Sequence, residues 1–106
     1  MPAVKIEDGR HKTRRGQIRI EVWGDTKTRQ VVRYNLAYIN HILQAGDNGR
    51  VLGFDDEKVY PGFSTAHHCH YFGVVYENTS FVSYDHTFER FMRHLRRLKY
   101  VHGKDY

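Results

Sequence analysis

Residues 17–39, with the sequence QIRIEVWGDTKTRQVVRYNLAYI, contain the pattern from which the predicted fold is built. In the first seven residues, aliphatic side chains alternate strictly with mostly polar ones, which is the pattern of a strand with one buried face. A second alternating segment runs from about Arg29 to Ile39, and the polar sequence Gly24-Asp25-Thr26-Lys27 between the two supplies a turn. The stretch therefore predicts a hairpin of two antiparallel strands.

Two more strands are predicted downstream of this hairpin. Asp47-Asn48-Gly49 precedes the short apolar segment Arg50–Phe54, and Asn and Gly tolerate the positive φ of a tight turn into a strand. The segment His68–Tyr76 is rich in aromatic and β-branched residues, which favour strands. A continuous strand there places His68 and His70 on one face, with Phe72, Val74 and Tyr76.

The clearest single element is a helix from about His86 to Tyr100. Its apolar side chains recur at helical spacing and form one stripe, whereas the opposite side is rich in arginine. Ser83 and Asp85 are candidate N-caps, and Phe81–Ser83 is either a short last strand or the approach to the helix. A strand face and a helical stripe are buried when the two layers pack together. We therefore predict an α+β domain with an antiparallel sheet of about four strands packed against a C-terminal amphipathic helix.

The length of 106 residues suits one domain with one core. Residues 1–16 contain five basic side chains and few apolar ones, which predicts a basic flexible arm. Residues 17–100 form the predicted single α+β domain, and residues 101–106 a polar tail.

The composition narrows the class of protein. Seventeen Lys and Arg against twelve Asp and Glu give a net charge of +5, which attracts polyanions or an acidic protein partner. One cysteine excludes an intrachain disulfide, and there is neither an apolar run long enough to span a bilayer nor a signal-peptide core. We expect a cytoplasmic protein without membrane contact. Motifs of the common nucleotide hydrolases, serine hydrolases and metalloproteases are missing.

The densest run of ionisable side chains is His67-His68-Cys69-His70. Histidine moves protons near neutral pH, and two histidines at i and i+2 of a strand reach one phosphate or one metal ion. Three interpretations stay open: acid–base catalysis or phosphate contact, metal binding with Asp55 or Asp56 as a further ligand, and histidines hydrogen-bonded along a sheet. Cys69 as a nucleophile is a weaker alternative, because buried inert cysteines are commoner.

Metal-free RNA cleavage needs a base for the 2′-hydroxyl proton, an acid for the leaving 5′-oxygen and a cation for the charge on phosphorus. His68 and His70 are candidates for the first two roles and Arg50 or one of the helix arginines for the third, while Asp55 or Asp56 orients a histidine. No metal or cofactor is needed. The predicted catalytic residues are His68, His70, Asp55 and Arg50. The predicted nucleic-acid contacts are Arg14, Arg15, Arg90, Arg93 and Arg97.

Four segments, taken together, resemble the TumE-type toxin family of prokaryotic toxin-antitoxin systems. The likeness extends from about Gln17 to Leu98, and its most recognisable piece is a strand exit followed by a His-x-His-Tyr/Phe-Gly strand. The segments are Arg33–Leu36, Arg50–Glu57, His67–Gly73 and Phe81–Ser83.

The resemblance implies a small growth-inhibiting toxin that is neutralised by a helix-turn-helix antitoxin encoded beside it. The chain departs from the family pattern at Asp56, where Asn is expected, and in the longer loop Lys58–Ala66, so no shared role follows for Asp56. The leading interpretation is a toxin that acts on RNA as a metal-independent endoribonuclease. The family-like polar positions are Arg50, Asp55, His68 and His70.

Two other classes of function remain open. A noncatalytic regulatory or inhibitory protein would dock a nucleic-acid-processing partner through the arginine face of the helix. A small metalloenzyme would use the histidine pair as ligands. The sequence leaves open the target and whether the chain forms a homodimer.

Overall fold

In a computed structural model that describes residues 3–106, the chain forms six strands and one α-helix. The strands make a single antiparallel sheet in which each lies beside its neighbours in sequence, in the order β1-β2-β3-β4-β5-β6. The predicted α+β class is confirmed, with six strands instead of about four. The elements are β1 (Ala3–Lys12), β2 (Gln17–Asp25), β3 (Val31–Ile39), β4 (Arg50–Asp55), β5 (His68–Tyr71), β6 (Val74–Glu77) and α1 (Tyr84–His102).

The first additional strand lies in the segment predicted to be a flexible arm. Of that arm, Met1 and Pro2 lie outside the described residues, and β1 pairs along its length with β2. Lys5 Nζ lies 2.8 Å from Glu21 Oε2, and Arg19 Nη1 lies 2.7 Å from Asp8 Oδ1. Both ion pairs run diagonally across the two strands, since Lys5 lies opposite Trp23 and Asp8 opposite Glu21, and diagonal pairs of opposite charge stabilise the pairing. Residues 3–12 of the predicted arm are thus a strand of the sheet, and two of their charged side chains have partners on β2.

The second additional strand comes from the segment predicted to be one strand from His68 to Tyr76. The chain instead reverses at Phe72 and Gly73, whose φ angles are 46° and 83°. Two consecutive residues with positive φ suit the twist of a two-residue hairpin turn. Val74 and Tyr76 therefore lie on β6, beside the histidine strand instead of on it.

Helix α1 is two residues longer at each end than predicted. Ser83 is its N-cap, since its Oγ accepts a hydrogen bond from the His86 backbone N–H at 3.1 Å. The buried stripe packs on β3 and β4, where the rings of Phe91 and Phe54 meet edge to face with centroids 6.4 Å apart. Within residues 3–106, no helix has both the length and the apolar character needed to cross a membrane.

The segment predicted to be a polar tail is docked on the domain. The ring of Tyr106 stacks on that of Tyr38 with centroids 4.8 Å apart, and Tyr106 is largely buried. The Tyr38 hydroxyl donates to the Tyr106 backbone oxygen at 2.5 Å, as does the Thr13 hydroxyl. A single aromatic residue among polar ones has no periodicity, so the sequence pattern did not indicate this contact.

Helix α1 covers one face of the sheet and leaves the other face, here called the open face, without a helix. A bulge in β4 decides what this face carries. Ile39 pairs with Arg50 while Tyr38 pairs with Leu52, so Val51 is an extra residue. The extra residue shifts Arg50 to the open face, together with Gly53 and Asp55.

Candidate functional site

The site is built by β4 and β5, which run antiparallel with Asp55 opposite His68 and Gly53 opposite His70. Side chains directly opposite each other project to the same face. Asp55, His68 and His70 consequently meet on the open face, and they are only 4%, 1% and 2% exposed. Three of the four predicted catalytic residues are thus in contact by virtue of strand register alone.

Asp55 is the centre of this group. Its Oδ1 lies 2.5 Å from His68 Nε2, and its Oδ2 lies 3.3 Å from Arg50 Nη1 and 3.7 Å from His70 Nε2. Arg50, the fourth predicted residue, thereby joins the other three. Asp47 contacts both Arg50 and His70, and we call these five residues the Asp55 cluster.

His68 and Asp55 share a proton, which lies between the imidazole Nε2 and the carboxylate. His68 Nδ1 lies 2.9 Å from the backbone oxygen of Ala66, and a carbonyl only accepts, so Nδ1 carries a proton and donates it. The other ring nitrogen, Nε2, faces the Asp55 carboxylate at hydrogen-bond distance, which requires a second proton between the two groups. The edge of the Tyr60 ring packs on the His68 ring with centroids 4.7 Å apart. The pair is therefore shielded from solvent.

His70 is held differently. Its Nδ1 lies 3.2 Å from Asp47 Oδ2 and donates to that carboxylate. Its Nε2 is buried and has no hydrogen-bond partner among the described residues. Burial lowers the pKa of His70, and the nearby Arg50 guanidinium lowers it further. In its neutral form, His70 therefore presents an unpaired Nε2 lone pair beside the Asp55 carboxylate.

Arg50 reaches Asp55 because the residue between them on the open face is a glycine. A Cβ atom on Gly53 would lie 2.7 Å from Arg50 Cδ, so any larger residue displaces this side chain. The other end of the guanidinium, Nη2, lies 3.2 Å from Asp47 Oδ1. Gly53 is thus part of the site although it supplies no functional group.

Sequence analysis missed Asp47 as a member of the site. Asp47, Asn48 and Gly49 all have positive φ, at 50°, 54° and 78°. This turn brings the Asp47 carboxylate to both Arg50 and His70. The Asp-Asn-Gly pattern was the available signal, and it predicted the turn but not the direction of the aspartate side chain.

A groove of about 300 Å³ on the open face gives access to the cluster. Asp55, Asp47 and Arg50 line it, whereas His68 and His70 lie behind them. Asp55 and Arg50 are therefore the predicted catalytic residues that face the groove. Charge in the groove is nearly balanced, since its other charged residues are Arg10, Arg19, Glu21 and Glu57.

A second groove, of about 420 Å³, lies at the turn between β1 and β2 and is lined by Lys12, Arg14 and Arg15. The two grooves adjoin, because Gln17 and Ile39 line both. Among the described residues, neither Arg14 nor Arg15 forms an ion pair. Two of the five predicted nucleic-acid contacts therefore lie beside the site.

The other three predicted nucleic-acid contacts lie elsewhere. Arg90, Arg93 and Arg97 line a depression of about 330 Å³ on α1, which covers the face opposite the cluster. Arg90 also has a structural role, since its Nη1 donates to Asn78 Oδ1 at 3.0 Å and its guanidinium lies over the Phe54 ring. The helix arginines and the cluster do not form one site.

Three other polar residues from the sequence analysis are excluded from the cluster. Cys69 alternates with the histidines and faces the helix side, where burial raises the pKa of its thiol. His67 also faces that side, with its ring stacked 3.6 Å from that of Phe81. Asp56 Oδ1 accepts the Tyr34 backbone N–H at 3.1 Å, so Asp56 is bound to the backbone of β3 and not to the cluster.

Comparison with known proteins gives no further constraint: no protein-family model, no curated protein and no solved structure matches this chain.

Proposed function

We propose that this protein is the cytoplasmic toxin of a toxin-antitoxin pair and that it cleaves RNA at the Asp55 cluster. One observation carries the proposal: a buried network of a carboxylate and two imidazoles opens, through Asp55 and Arg50, into a groove that adjoins the basic turn. The resemblance to TumE-type toxins supports the toxin class, and a helix-turn-helix antitoxin is the partner it implies.

The two grooves suit an RNA strand. Arginine side chains free of acidic partners bind phosphates, and such contacts position a nucleic acid without reading its sequence. An RNA backbone held by Arg14 and Arg15 extends past Gln17 and Ile39 toward Asp55. The basic turn then binds the RNA backbone, and the cluster cleaves the same strand.

The cluster contains the groups that cleavage at a 2′-hydroxyl needs. Asp55 accepts the 2′-hydroxyl proton, the 2′-oxygen attacks phosphorus and the bond to the 5′-oxygen breaks. Arg50 faces the charge that builds on the phosphate. Asp55, which faces the groove, then returns a proton to the leaving oxygen, and the products are a 2′,3′-cyclic phosphate and a 5′-hydroxyl.

The experiment has two readouts, growth after induced expression and cleavage of a labelled RNA by purified protein. We expect wild type to stop growth and to leave cyclic phosphate ends, and Asp55→Asn to lose both effects at a temperature at which circular dichroism shows it folded. The Arg14→Ala, Arg15→Ala double variant should cleave with a weaker salt dependence. His67→Gln is the matched control, since this neighbouring histidine does not touch the cluster. The proposal is wrong if wild type neither cleaves RNA nor slows growth.

A noncatalytic binding protein is the second candidate, favoured by the position of Arg93 and Arg97 on the side of the sheet away from the cluster. A partner bound there does not need the histidines. For this function we expect Arg93→Glu with Arg97→Glu to abolish growth inhibition and Asp55→Asn to leave it intact, with circular dichroism confirming that both variants fold. The reverse result eliminates the second candidate.

A further inference from the structure

The Asp55 cluster also has the arrangement of a metal site. Asp55, His68 and His70 each offer one ligand atom, and these atoms all lie within 4.8 Å of one another. Two imidazoles and a carboxylate are a donor set typical of divalent transition metals, whereas Mg²⁺ and Ca²⁺ prefer oxygen ligands throughout. We propose that these three residues bind one such ion, for which Zn²⁺ is the probe.

Both histidines are oriented as metal ligands are. A histidine that binds a metal through one ring nitrogen almost always donates a hydrogen bond from the other, to a carboxylate or a carbonyl. His68 Nδ1 donates to the Ala66 carbonyl and His70 Nδ1 to the Asp47 carboxylate. Each ring therefore directs its Nε2 toward Asp55, and this Nε2 is the nitrogen that remains free to bind a metal.

A second, independent observation points to a ligand at this place. The Nε2 of His70 is buried and has no hydrogen-bond partner among the described residues, although His70 is only 2% exposed. A buried polar atom without a partner costs free energy. An ion between His70 and Asp55 would give this nitrogen the partner that the protein does not provide.

Binding requires a small local change. Ligand atoms about 2.1 Å from a tetrahedral zinc ion lie roughly 3.4 Å apart. His68 Nε2 and Asp55 Oδ1 are 2.5 Å apart and must separate, whereas His70 Nε2 and Asp55 Oδ2 at 3.7 Å already fit. The ion replaces the proton shared by His68 and Asp55, and Arg50 stays on Asp55 Oδ2 as a competing positive charge. The fourth position is left to water.

The inference concerns what the cluster binds and is independent of RNA as the substrate. We would prepare the full chain without a histidine tag, remove metal with a chelator, and titrate with Zn²⁺ by calorimetry and with Co²⁺ by visible spectroscopy. We expect one ion per chain and a tetrahedral Co²⁺ spectrum. Because the ion binds the folded chain, it should also raise the melting temperature. Mg²⁺ should neither bind to the chain in the calorimeter nor raise its melting temperature.

Variants assign the ligands. His70→Gln and Asp55→Asn should each weaken Zn²⁺ binding by roughly tenfold or more, while His67→Gln should bind as wild type does. If a ligand variant does not fold, the Co²⁺ spectrum of wild type still decides between a built site and none. The inference is wrong if wild type does not bind Zn²⁺, or if His67→Gln loses as much Zn²⁺ affinity as the ligand variants do. Absence of RNA cleavage does not affect it.

Discussion

Asp55 and His68 form a buried pair in which Oδ1 of the carboxylate lies 2.5 Å from Nε2 of the imidazole. The two residues are also direct partners across β4 and β5, so the pair depends on the register of the sheet. Because both side chains are almost fully excluded from solvent, neither can replace its partner with water. The stability of the domain and the chemistry of the site therefore share one contact.

Asp55→Asn should strongly destabilise the domain, because it leaves His68 and Arg50 without their buried carboxylate. Removal of one partner from a buried ion pair typically costs about 3–5 kcal/mol in the free energy of unfolding. Urea denaturation measures this cost. Glu57→Gln is the control, since its carboxylate is exposed and pairs weakly with Arg33, and should cost less than about 1 kcal/mol. Equal effects of both substitutions contradict this account.

Gly53→Ala should impair the site while sparing the fold. The added Cβ meets Arg50 Cδ and displaces this flexible side chain from Asp55, whereas the backbone of Gly53 does not require glycine. We expect RNA cleavage to fall by roughly a hundredfold, as when one transition-state donor is removed. The free energy of unfolding should fall by less than it does for Asp55→Asn, because His68 stays paired with Asp55. Gly46→Ala, where the new Cβ has space, should leave both unchanged.

Gly73→Ala should destabilise the hairpin that carries the histidines. The φ of Gly73 is 83°, and its added Cβ would also lie 2.8 Å from Gln44 Nε2. A left-handed backbone costs a residue with a side chain about 1–2 kcal/mol. Gly62 has a similar φ but open space around it, so Gly62→Ala isolates the backbone cost. Thermal unfolding should show the larger loss for Gly73→Ala.

Cys69 should react slowly with thiol reagents. Burial raises the pKa of its thiol, so the reactive thiolate is a smaller fraction at pH 8 than in the unfolded chain. The difference in reaction rate between folded and unfolded chain should become smaller as the pH rises through the pKa of the Cys69 thiol in the folded protein. Alkylation rates with and without denaturant measure this effect. Equal rates at pH 8 would show that Cys69 is not protected.

Zn²⁺ should inhibit RNA cleavage if the proposed function and the proposed metal site are both right. An ion on Asp55, His68 and His70 occupies the carboxylate that accepts the 2′-hydroxyl proton. We expect one equivalent of Zn²⁺ to stop cleavage and a chelator to restore it. Cleavage that requires Zn²⁺ would support the metal site but contradict metal-independent chemistry.

Local pattern was sufficient for the elements whose side chains follow one period. Strands β2 and β3 alternate with period two, and α1 repeats its apolar residues at helical spacing, so these were predicted within about two residues. The same period of two placed His68 and His70 on one face. Strand β1 was not predicted, because charged residues in it are paired with partners on β2 that the local sequence does not show. The hairpin after Tyr71 was not predicted, because Phe72 is not a typical turn residue.

Sequence patterns were enough to predict the α+β class, the first hairpin, the helix and most candidate residues of the site. How these residues meet depends on contacts between distant parts of the chain. A strict period of two puts Arg50 and Asp55 on opposite faces, and the bulge at Val51 brings them to the same one. Strand register, bulges and left-handed turns are set by pairing between distant segments, whereas periodicity indicates only which side of its own element a residue occupies.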